Sequence, residues 1–461
     1  MITLAIALVL GIILGTVAGL MPGLHSNTVA ASLVGIALGL PDEWRLPATV
    51  AIAAAGAANI FWDLIPTLFL GIPGSPIQAM LPTHRLVMEG RGGEALRLSA
   101  RATVFGVLCA MAISTLLLHT SLASSFENQL EGVLFPLMLI ATIILLITEK
   151  RRVAAVTLFT LAGLFGVIAL GKPIVPGGSD GAFGVLLPAL TGMFGMPGLL
   201  SGLSGAATLR PRQDPDAPDL MPLRNVIAVG SLGTVLGALS GFLPGMGSAN
   251  IAALGDTARR PSEGTSEDRR YIALISGLQA ADMVLGVTAW YLIDKARSGI
   301  SVSISLIADP ADVDGRRAIL FAIILSAVVS YFALRLTWRG TVRTIERFDQ
   351  RGLNFALACA LILLVAMTTG WGGLLILAIG TLLGAAAQAA GIRQAQLMGF
   401  LLIPVLLYLS GNQAWIVSSL ALDARLSVPL PTSTTQILGF LGTTGVMGVV
   451  AYQAWMVATR R

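Results

Sequence analysis

The sequence predicts an all-α polytopic membrane protein. Of its 461 residues, 55% are hydrophobic and only 11% are charged, and its mean hydropathy is +0.83. Soluble domains carry about 25% charged residues, more than twice this share. Apolar stretches recur along the whole chain, and because a helix needs about 20 apolar residues to cross a bilayer, we expect roughly 10 to 14 membrane segments.

The composition excludes several classes of protein. The net charge of +5 comes from basic residues in short loops, which is typical of membrane topology and not of nucleic-acid binding. The chain has three histidines and two cysteines, and it contains no HExxH, no Walker motif and no GxSxG in a strand–turn–helix setting. We therefore expect no enzyme activity, no metal or other cofactor and no nucleic-acid partner.

The chain carries an internal duplication. The segment GIILGTVAGLMPG (11–23) matches GTVLGALSGFLPG (233–245), with equally spaced glycines before a Pro-Gly pair and a serine three residues after it. A fainter match pairs the Ala-Ala-Asn that ends at Asn59 with the Ala-Ala-Asp that ends at Asp282. Such matching halves are typical of transporters. We predict a first membrane repeat over 1–206, a cytoplasmic linker over 207–224 and a second membrane repeat over 225–461.

The charges of the loops predict that the two repeats are inverted. Arg and Lys mark cytoplasmic loops, and 149–152 and 335–351 are the most basic such segments. The loops 41–47 and 121–132 are neutral to acidic, and we expect them to be external. When the membrane spans are assigned so that these loops lie on their expected sides, the first Pro-Gly segment enters the membrane from outside and the second enters it from the cytoplasm.

Pro-Gly pairs predict broken helices in both halves. Proline removes a backbone donor, glycine permits a left-handed residue, and an opened backbone in lipid must be satisfied by protein or water. The residues after each break are small and polar, at a half-helix N-terminus that favours an anion. A third break, GIPGS (71–75), has the same chemistry. The alternative is a pair of packing kinks without a ligand.

We predict that these broken-helix tips bind the substrate near the membrane midplane. The candidate substrate-binding residues are Pro22, Gly23, His25, Ser26, Asn27, Pro73, Gly74, Ser75, Pro244, Gly245, Ser248 and Asn250.

Four polar side chains lie in largely apolar surroundings: Asn59, Asp63, Gln279 and Asp282. Ionisable residues at membrane depth are costly and are usually functional or paired. Asp63 lies only a few turns before GIPGS, which favours a role in binding the coupling ion, Na⁺ or H⁺. We expect Asn59, Gln279 and Asp282 to contribute to the same ion site. The alternative is a structural role in hydrogen bonds between helices.

Three segments together resemble a known family. They are GTVAGLMPGLHSNTVA (15–30), LGIPGSPIQAMLPTHRLVMEGRGGEAL (70–96) and GTVLGALSGFLPGMGSAN (233–250). They are similar to the large membrane subunit of tripartite tricarboxylate transporters, the TctA family. The resemblance implies a multi-pass secondary carrier for citrate-like carboxylates in a prokaryotic cell membrane, with a small membrane subunit and an extracytoplasmic solute-binding protein as partners.

Two departures make this a divergent member of the family. His25 stands where a small residue is usual after the first Pro-Gly pair. The second half has no clear counterpart of LGIPGS and instead contains YLIDKARSGISVS (291–303).

The leading hypothesis is therefore an ion-coupled secondary transporter for a small carboxylate or related organic anion. A second hypothesis is a translocase for an anionic lipid such as a polyprenyl phosphate, whose head group would use the same helix-terminus chemistry. A third is a membrane scaffold that transports nothing.

Overall fold

The described part of the chain is mostly helical. The computed structural model describes residues 2–20, 30, 33, 37, 41–69, 82–119, 135–136, 138–149, 151–171, 181–203, 213–214, 217–242, 265–293, 298–309, 311–347 and 350–410. Over these ranges no strand is present. Eight of the described helical stretches are long and apolar enough to cross a membrane, and shorter apolar helices accompany them. The predicted class, an all-α multi-pass membrane protein, is confirmed.

The helices are numbered here in chain order. Those of the first half are α1 (Ile2–Leu20), α2 (Arg45–Trp62), α3 (Leu64–Phe69), α4 (Pro82–Met88), α5 (Gly92–His119), α6 (Met138–Ile147), α7 (Arg152–Gly171), α8 (Gly181–Leu190) and α9 (Met196–Leu203). Those of the second half are α10 (Leu223–Phe242), α11 (Thr265–Ile293), α12 (Gly299–Ser305), α13 (Val313–Arg347), α14 (Gln350–Ala389) and α15 (Gly399–Leu409).

The chain packs into two compact units, and each unit draws on both halves of the sequence. Unit 1 comprises Met1–Met138 and Ser201–Leu357, and unit 2 comprises Leu139–Leu200 and Ala358–Arg461. This division describes packing and not the duplication, so the predicted boundaries at residues 207–224 remain a prediction.

Within unit 1, α1 and α2 pack closely along a row of glycines. A methyl group at Gly11 would collide with the backbone oxygen of Ala51, and one at Gly15 would collide with that of Ala55. Small residues let helix backbones approach in this way in membranes. The two contacts advance together by four residues, so α1 and α2 run parallel.

The helices α10 and α11 repeat this packing in the second half. A methyl group at Gly233 would collide with the backbone oxygen of Leu274, and one at Gly237 would lie 2.8 Å from that of Leu278. These contacts are displaced from those of α1 and α2 by 222 residues on the first helix and 223 on the second. The glycine spacing therefore sets the same parallel pair twice.

The third long helix of each half packs on the helix pair of the other half. On one side, α5 lies on α10 and α11, where the Thr234 hydroxyl donates to the Gly277 carbonyl at 3.1 Å and approaches the Gly106 carbonyl at 3.4 Å. On the other side, α13 lies on α2, where the Ser326 hydroxyl donates to the Ala54 carbonyl at 2.7 Å. The two halves are thus interlocked within unit 1.

Unit 2 is built on the contact between α7 and α15. A methyl group at Gly166 would collide with the backbone oxygen of Phe400, and the rings of Phe165 and Phe400 lie 5.3 Å apart. At the end of this pair, Arg393 Nε donates to Glu149 Oε2 at 2.9 Å. In α14, Gly370 has φ 60° and ψ −153°, a conformation that only glycine adopts readily, and it kinks the helix there.

Candidate functional site

The structure describes the four predicted ion-binding residues, Asn59, Asp63, Gln279 and Asp282, which all lie in unit 1. The predicted substrate-binding tips lie outside the described residues. Those tip residues are Pro22, Gly23, His25, Ser26, Asn27, Pro73, Gly74, Ser75, Pro244, Gly245, Ser248 and Asn250. Their roles therefore remain predictions.

The end of α1 packs directly on the end of α2. A methyl group at Gly19 would lie 2.9 Å from the backbone oxygen of Asn59, 2.9 Å from the backbone nitrogen of Asp63 and 2.8 Å from Trp62 Cβ. Three residues after Gly19, the chain reaches Pro22, the first residue of the predicted tip. The glycine packing thus brings the end of α1 onto the segment that carries Asn59 and Asp63.

Asn59 and Asp63 differ in the hydrogen bonds that their side chains form. Asn59 is 6% exposed, and its Nδ2 has no hydrogen-bond partner among the described residues. Asp63 lies at the C-terminal cap of α2, is half-buried and accepts a hydrogen bond from the Thr67 side chain. A buried amide donor without a partner is costly, so Asn59 is suited to donate to a ligand oxygen.

The middle of α2 meets the second half of the chain. A methyl group at Gly56 would lie 3.1 Å from Met283 Cε on α11 and 2.5 Å from Ile300 Cδ1 on α12. Gly56 precedes Asn59 by about one helical turn, and Met283 directly follows Asp282. The contact therefore brings the two halves of the chain together at the level of the predicted ion-binding residues.

Gln279 and Asp282 occupy the matching stretch of α11. Both are half-buried, and the residues beside them pack on α10: a methyl group at Gly237 would lie 2.8 Å from both the Leu278 carbonyl oxygen and Ala281 Cβ. Gly237 precedes the second predicted tip by seven residues. Each half thus places its parallel helix pair next to the polar residues that the sequence singled out.

Sequence reasoning missed the short helix α12. It begins within YLIDKARSGISVS, where the second half lacks a Pro-Gly pair. Ser298 caps it through a capping box in which Ser298 Oγ accepts from the Ser301 N–H at 3.1 Å, and the Ser301 hydroxyl accepts from the Ser298 N–H at 2.9 Å. The signal was present as the SGIS sequence, a short Ser-x-x-Ser variant of the capping box.

Further along α12, Ser303 is completely buried, and its hydroxyl has no partner in the described part of the chain. Together with Asn59 Nδ2, it is a second buried polar group near the contact between the halves, since α12 packs on both α2 and α11. Such groups normally have a partner. Among the described residues, Asn59 Nδ2 and the Ser303 hydroxyl are therefore two buried groups here with hydrogen-bonding capacity left over.

The second feature missed from sequence is a buried charge cluster at the starts of α5 and α11. Arg269 Nε and Nη2 donate to Glu94 Oε1 and Oε2 at 2.6 and 3.0 Å, and Arg91 Nη2 lies 2.7 Å from Oε2. The Leu220 N–H also donates to Glu94 at 3.0 Å. Because Glu94 and Arg269 are 175 residues apart, no local pattern in the sequence could pair them.

The described part of the linker, residues 213–214 and 217–222, runs along α4 and α5, and we call it the linker strap. Gln213 accepts from the Gly92 N–H at 2.9 Å and donates to the Val87 carbonyl at 3.0 Å. Asp219 forms ion pairs with two arginines of α5: its Oδ1 lies 2.8 Å from Arg97 Nε, and its Oδ2 lies 2.7 Å from Arg101 Nη2. The strap is therefore bound to the first half before the chain enters α10.

A bundle of apolar helices whose parallel pairs carry buried polar groups next to Pro-Gly sequences defines the class of a polytopic membrane transporter. The comparison with protein families identifies which one: residues 5–399 match the tripartite tricarboxylate transporter TctA family, and the chain belongs to this family. This is a family of transporters and not of enzymes, and the predicted membership is confirmed. Its members function in tripartite systems with a small membrane subunit and a solute-binding protein.

One curated relative supports this membership. An uncharacterized protein of Methanocaldococcus jannaschii is 26% identical over 359 residues, which cover 76% of this chain and 85% of the relative. No solved structure matches the chain.

Proposed function

We propose that this chain is the translocating subunit of an ion-coupled secondary transporter for a small carboxylate or related organic anion. The observation that carries the proposal is the packing of Gly19, which precedes the predicted Pro-Gly tip by three residues in the sequence, on the segment that carries the buried amide of Asn59 and the carboxylate of Asp63. The tip supplies backbone N–H groups for the anion. The carboxylate of Asp63 binds the coupling ion, Na⁺ or H⁺.

The helix directions in unit 1 support the proposal that the two halves are inverted repeats. α5 runs parallel to α11, since Glu94 meets Arg269 near their starts and Ser114 accepts from the Thr288 hydroxyl at 2.8 Å near their ends. The start of α5 meets the late part of α13, where a methyl group at Gly93 would lie 2.6 Å from the Trp338 ring.

α13 in turn runs parallel to α2. A methyl group at Gly315 would lie 3.5 Å from Leu46 Cδ1, and the Ser326 hydroxyl reaches the Ala54 carbonyl. With α5 and α13 antiparallel, the α1–α2 pair and the α10–α11 pair point in opposite directions. Inverted pairs with broken helices are the architecture in which substrate and ion sites lie at the repeat interface.

The register of the duplication also supports a second binding tip at α12. The displacement of 223 that pairs Ala51 with Leu274 pairs Asp63 with Gly286 and Ser75 with Ser298. A methyl group at Gly286 would lie 3.1 Å from Ser298 Oγ. By the same register, Asp63 and Ser75 of the GIPGS segment are the sequence counterparts of this contacting pair.

We further propose that the protein works in the cell membrane of a prokaryote. The family's tripartite organisation supports a small membrane subunit and an extracytoplasmic solute-binding protein as its partners. The binding protein would deliver the carboxylate to the external face.

Uptake by proteoliposomes tests the proposal. The purified chain, with any partner subunits, should accumulate at least one di- or tricarboxylate under a Na⁺ or H⁺ gradient. Asp63→Asn should lower gradient-driven uptake about tenfold or more, because an intramembrane carboxylate is the expected ion ligand. The matched control is Asp314→Asn, which alters an exposed carboxylate at the start of α13 and should leave uptake unchanged.

The other two hypotheses give different results in the same assay. Transfer of a labelled polyprenyl phosphate between leaflets, without carboxylate uptake, would favour the lipid translocase. Folded protein that moves neither compound under any gradient would favour a scaffold. Equal uptake by the Asp63 and Asp314 variants would remove Asp63 from the ion site.

A further inference from the structure

A basic groove lies between α5 and α13, and it uses none of the residues of the candidate transport site. Arg97 and Arg101 from α5 and Arg335 from α13 border it, and its lining, which includes Leu96, Ala100 and Leu334, is mostly apolar. The groove therefore combines arginines with an apolar surface.

Aromatic residues complete the basic groove. Trp338 is buried between two guanidinium groups, with Arg97 Cζ 5.6 Å and Arg339 Cζ 5.7 Å from its ring. Tyr331 lies one turn before Arg335 and accepts a hydrogen bond of 3.3 Å from it. Trp and Tyr are enriched where a membrane meets water, because their rings are apolar and their polar atoms are not.

The groove carries an excess of positive charge. Arg97 and Arg101 share one carboxylate, that of Asp219, and Arg335 has a neutral hydroxyl as its partner. Among the described residues, no other carboxylate forms an ion pair with these three arginines. An anion could therefore bind Arg335 without competing with a carboxylate of the described residues.

The length of α13 and the residues around the groove are typical of a helix that leaves the membrane there. The helix has 35 residues, about 50 Å, whereas the apolar core of a bilayer is about 30 Å thick. Phe332 and Leu336 are 56% and 82% exposed, as expected for side chains in contact with lipid. Beginning at the groove, exposed arginines follow at four-residue spacing: Arg335, Arg339 and Arg343.

We propose that the basic groove binds the head group of an anionic phospholipid. The planar guanidinium groups suit a phosphate, which accepts two parallel hydrogen bonds from each. The acyl chains would run along the apolar lining and the exposed Phe332. Basic pockets between membrane helices on the cytoplasmic side recognise such head groups, and the loop charges assign 335–351 to that side.

The lipid would link the two halves of the chain, because α5 belongs to the first and α13 to the second. It is therefore expected to stabilise unit 1 as well as bind to it. A zwitterionic lipid brings its own cation next to the phosphate, so it gains less from the arginines.

Thermal unfolding of the full chain in a neutral detergent tests the proposal, with phosphatidylglycerol or phosphatidylcholine added at the same molar ratio. Phosphatidylglycerol should raise the Tm, and phosphatidylcholine should leave it nearly unchanged. Native mass spectrometry should detect retained phosphatidylglycerol. Arg335→Gln with Arg339→Gln should weaken this retention about tenfold and abolish most of the Tm shift.

Arg317→Gln is the matched control, because it removes an exposed arginine from the other end of the same helix. This variant should keep the full response to phosphatidylglycerol. The proposal is overturned if both lipids shift the Tm equally, or if the Arg335/Arg339 variant keeps the wild-type response. Inorganic phosphate at the same concentration should have no effect, and an equal shift would assign the groove to free phosphate instead. None of these readouts depends on transport.

Discussion

Glu94 and Arg269 form a bidentate ion pair in which the two side chains are 2% and 5% exposed. The pair joins α5 to α11, and the backbone N–H of Leu220 in the linker strap donates to the same carboxylate. Three parts of the chain that are distant in sequence therefore meet on one buried group. Removing one partner of a buried ion pair leaves the other charge uncompensated, which lowers the stability of the protein. Here the loss would weaken the contact between the two halves.

We expect Glu94→Gln to destabilise the protein by about 3–5 kcal/mol, because the buried Arg269 would lose the carboxylate that accepts two of its hydrogen bonds. The measurement is thermal unfolding of the purified chain in detergent. Asp314→Asn is the control, since it removes an exposed pair with Arg317 and should cost no more than about 1 kcal/mol. The double variant Glu94→Gln/Arg269→Gln should lose less than the two single variants combined. Similar losses for Glu94→Gln and Asp314→Asn would contradict this account.

Replacing glycine by alanine should change the stability of the protein in opposite directions, depending on whether another helix contacts the glycine. Gly15→Ala and Gly237→Ala should each destabilise the protein by about 1–3 kcal/mol, because the added methyl group presses on the neighbouring helix. Gly340→Ala adds a methyl group where nothing lies within 4 Å, so it should stabilise α13 by about 0.5–1 kcal/mol. Unfolding temperatures of the three variants give the comparison. If all three moved in the same direction, close helix packing would not be the cause.

Gln213 acts as a cap supplied from outside the helix. Its side chain accepts from the N–H of Gly92, the first residue of α5, a backbone donor that has no partner within the helix. Gln213→Ala should therefore cost about 1–3 kcal/mol and loosen the part of the linker strap around residue 213, while Asp219 and Leu220 still hold the rest. Limited proteolysis should cut the linker faster in this variant than in Asn225→Ala, which removes an exposed amide. Equal cleavage rates would mean that Gln213 does not hold the strap.

The features predicted from the sequence are those that local patterns encode. Hydropathy and length predicted the helical membrane class. The equally spaced glycines that predicted an internal duplication, Gly11 and Gly15 with Gly233 and Gly237, lie at the close helix contacts of the structure. That spacing is local, because a helix presents every fourth residue on the same face. The family could be identified because the Pro-Gly segments are also continuous in sequence.

The features that escaped prediction depend on distant residues or on a changed motif. The ion pair between Glu94 and Arg269 bridges the halves, and neither residue stands out in its own loop. The helix α12 was missed because Ser298 replaces a Pro-Gly pair as the signal for a helix start. A capping serine and a Pro-Gly break both begin a helix, but only the second is conspicuous in an apolar sequence.

Ser298→Ala should separate the structural role of α12 from its proposed role in transport. The capping box would lose its reciprocal hydrogen bonds, at a cost of about 1 kcal/mol. Uptake should fall by more than this loss of stability explains, because Ser298 corresponds to Ser75 of the first tip. Ser305→Ala is the matched control: it removes a serine hydroxyl from the end of the same helix, where it donates to the Val302 carbonyl at 2.8 Å. Tm and carboxylate uptake should be measured on both variants, so that loss of stability and loss of transport can be compared. If the Ser298 variant transports as well as the Ser305 variant, the role of α12 is only structural.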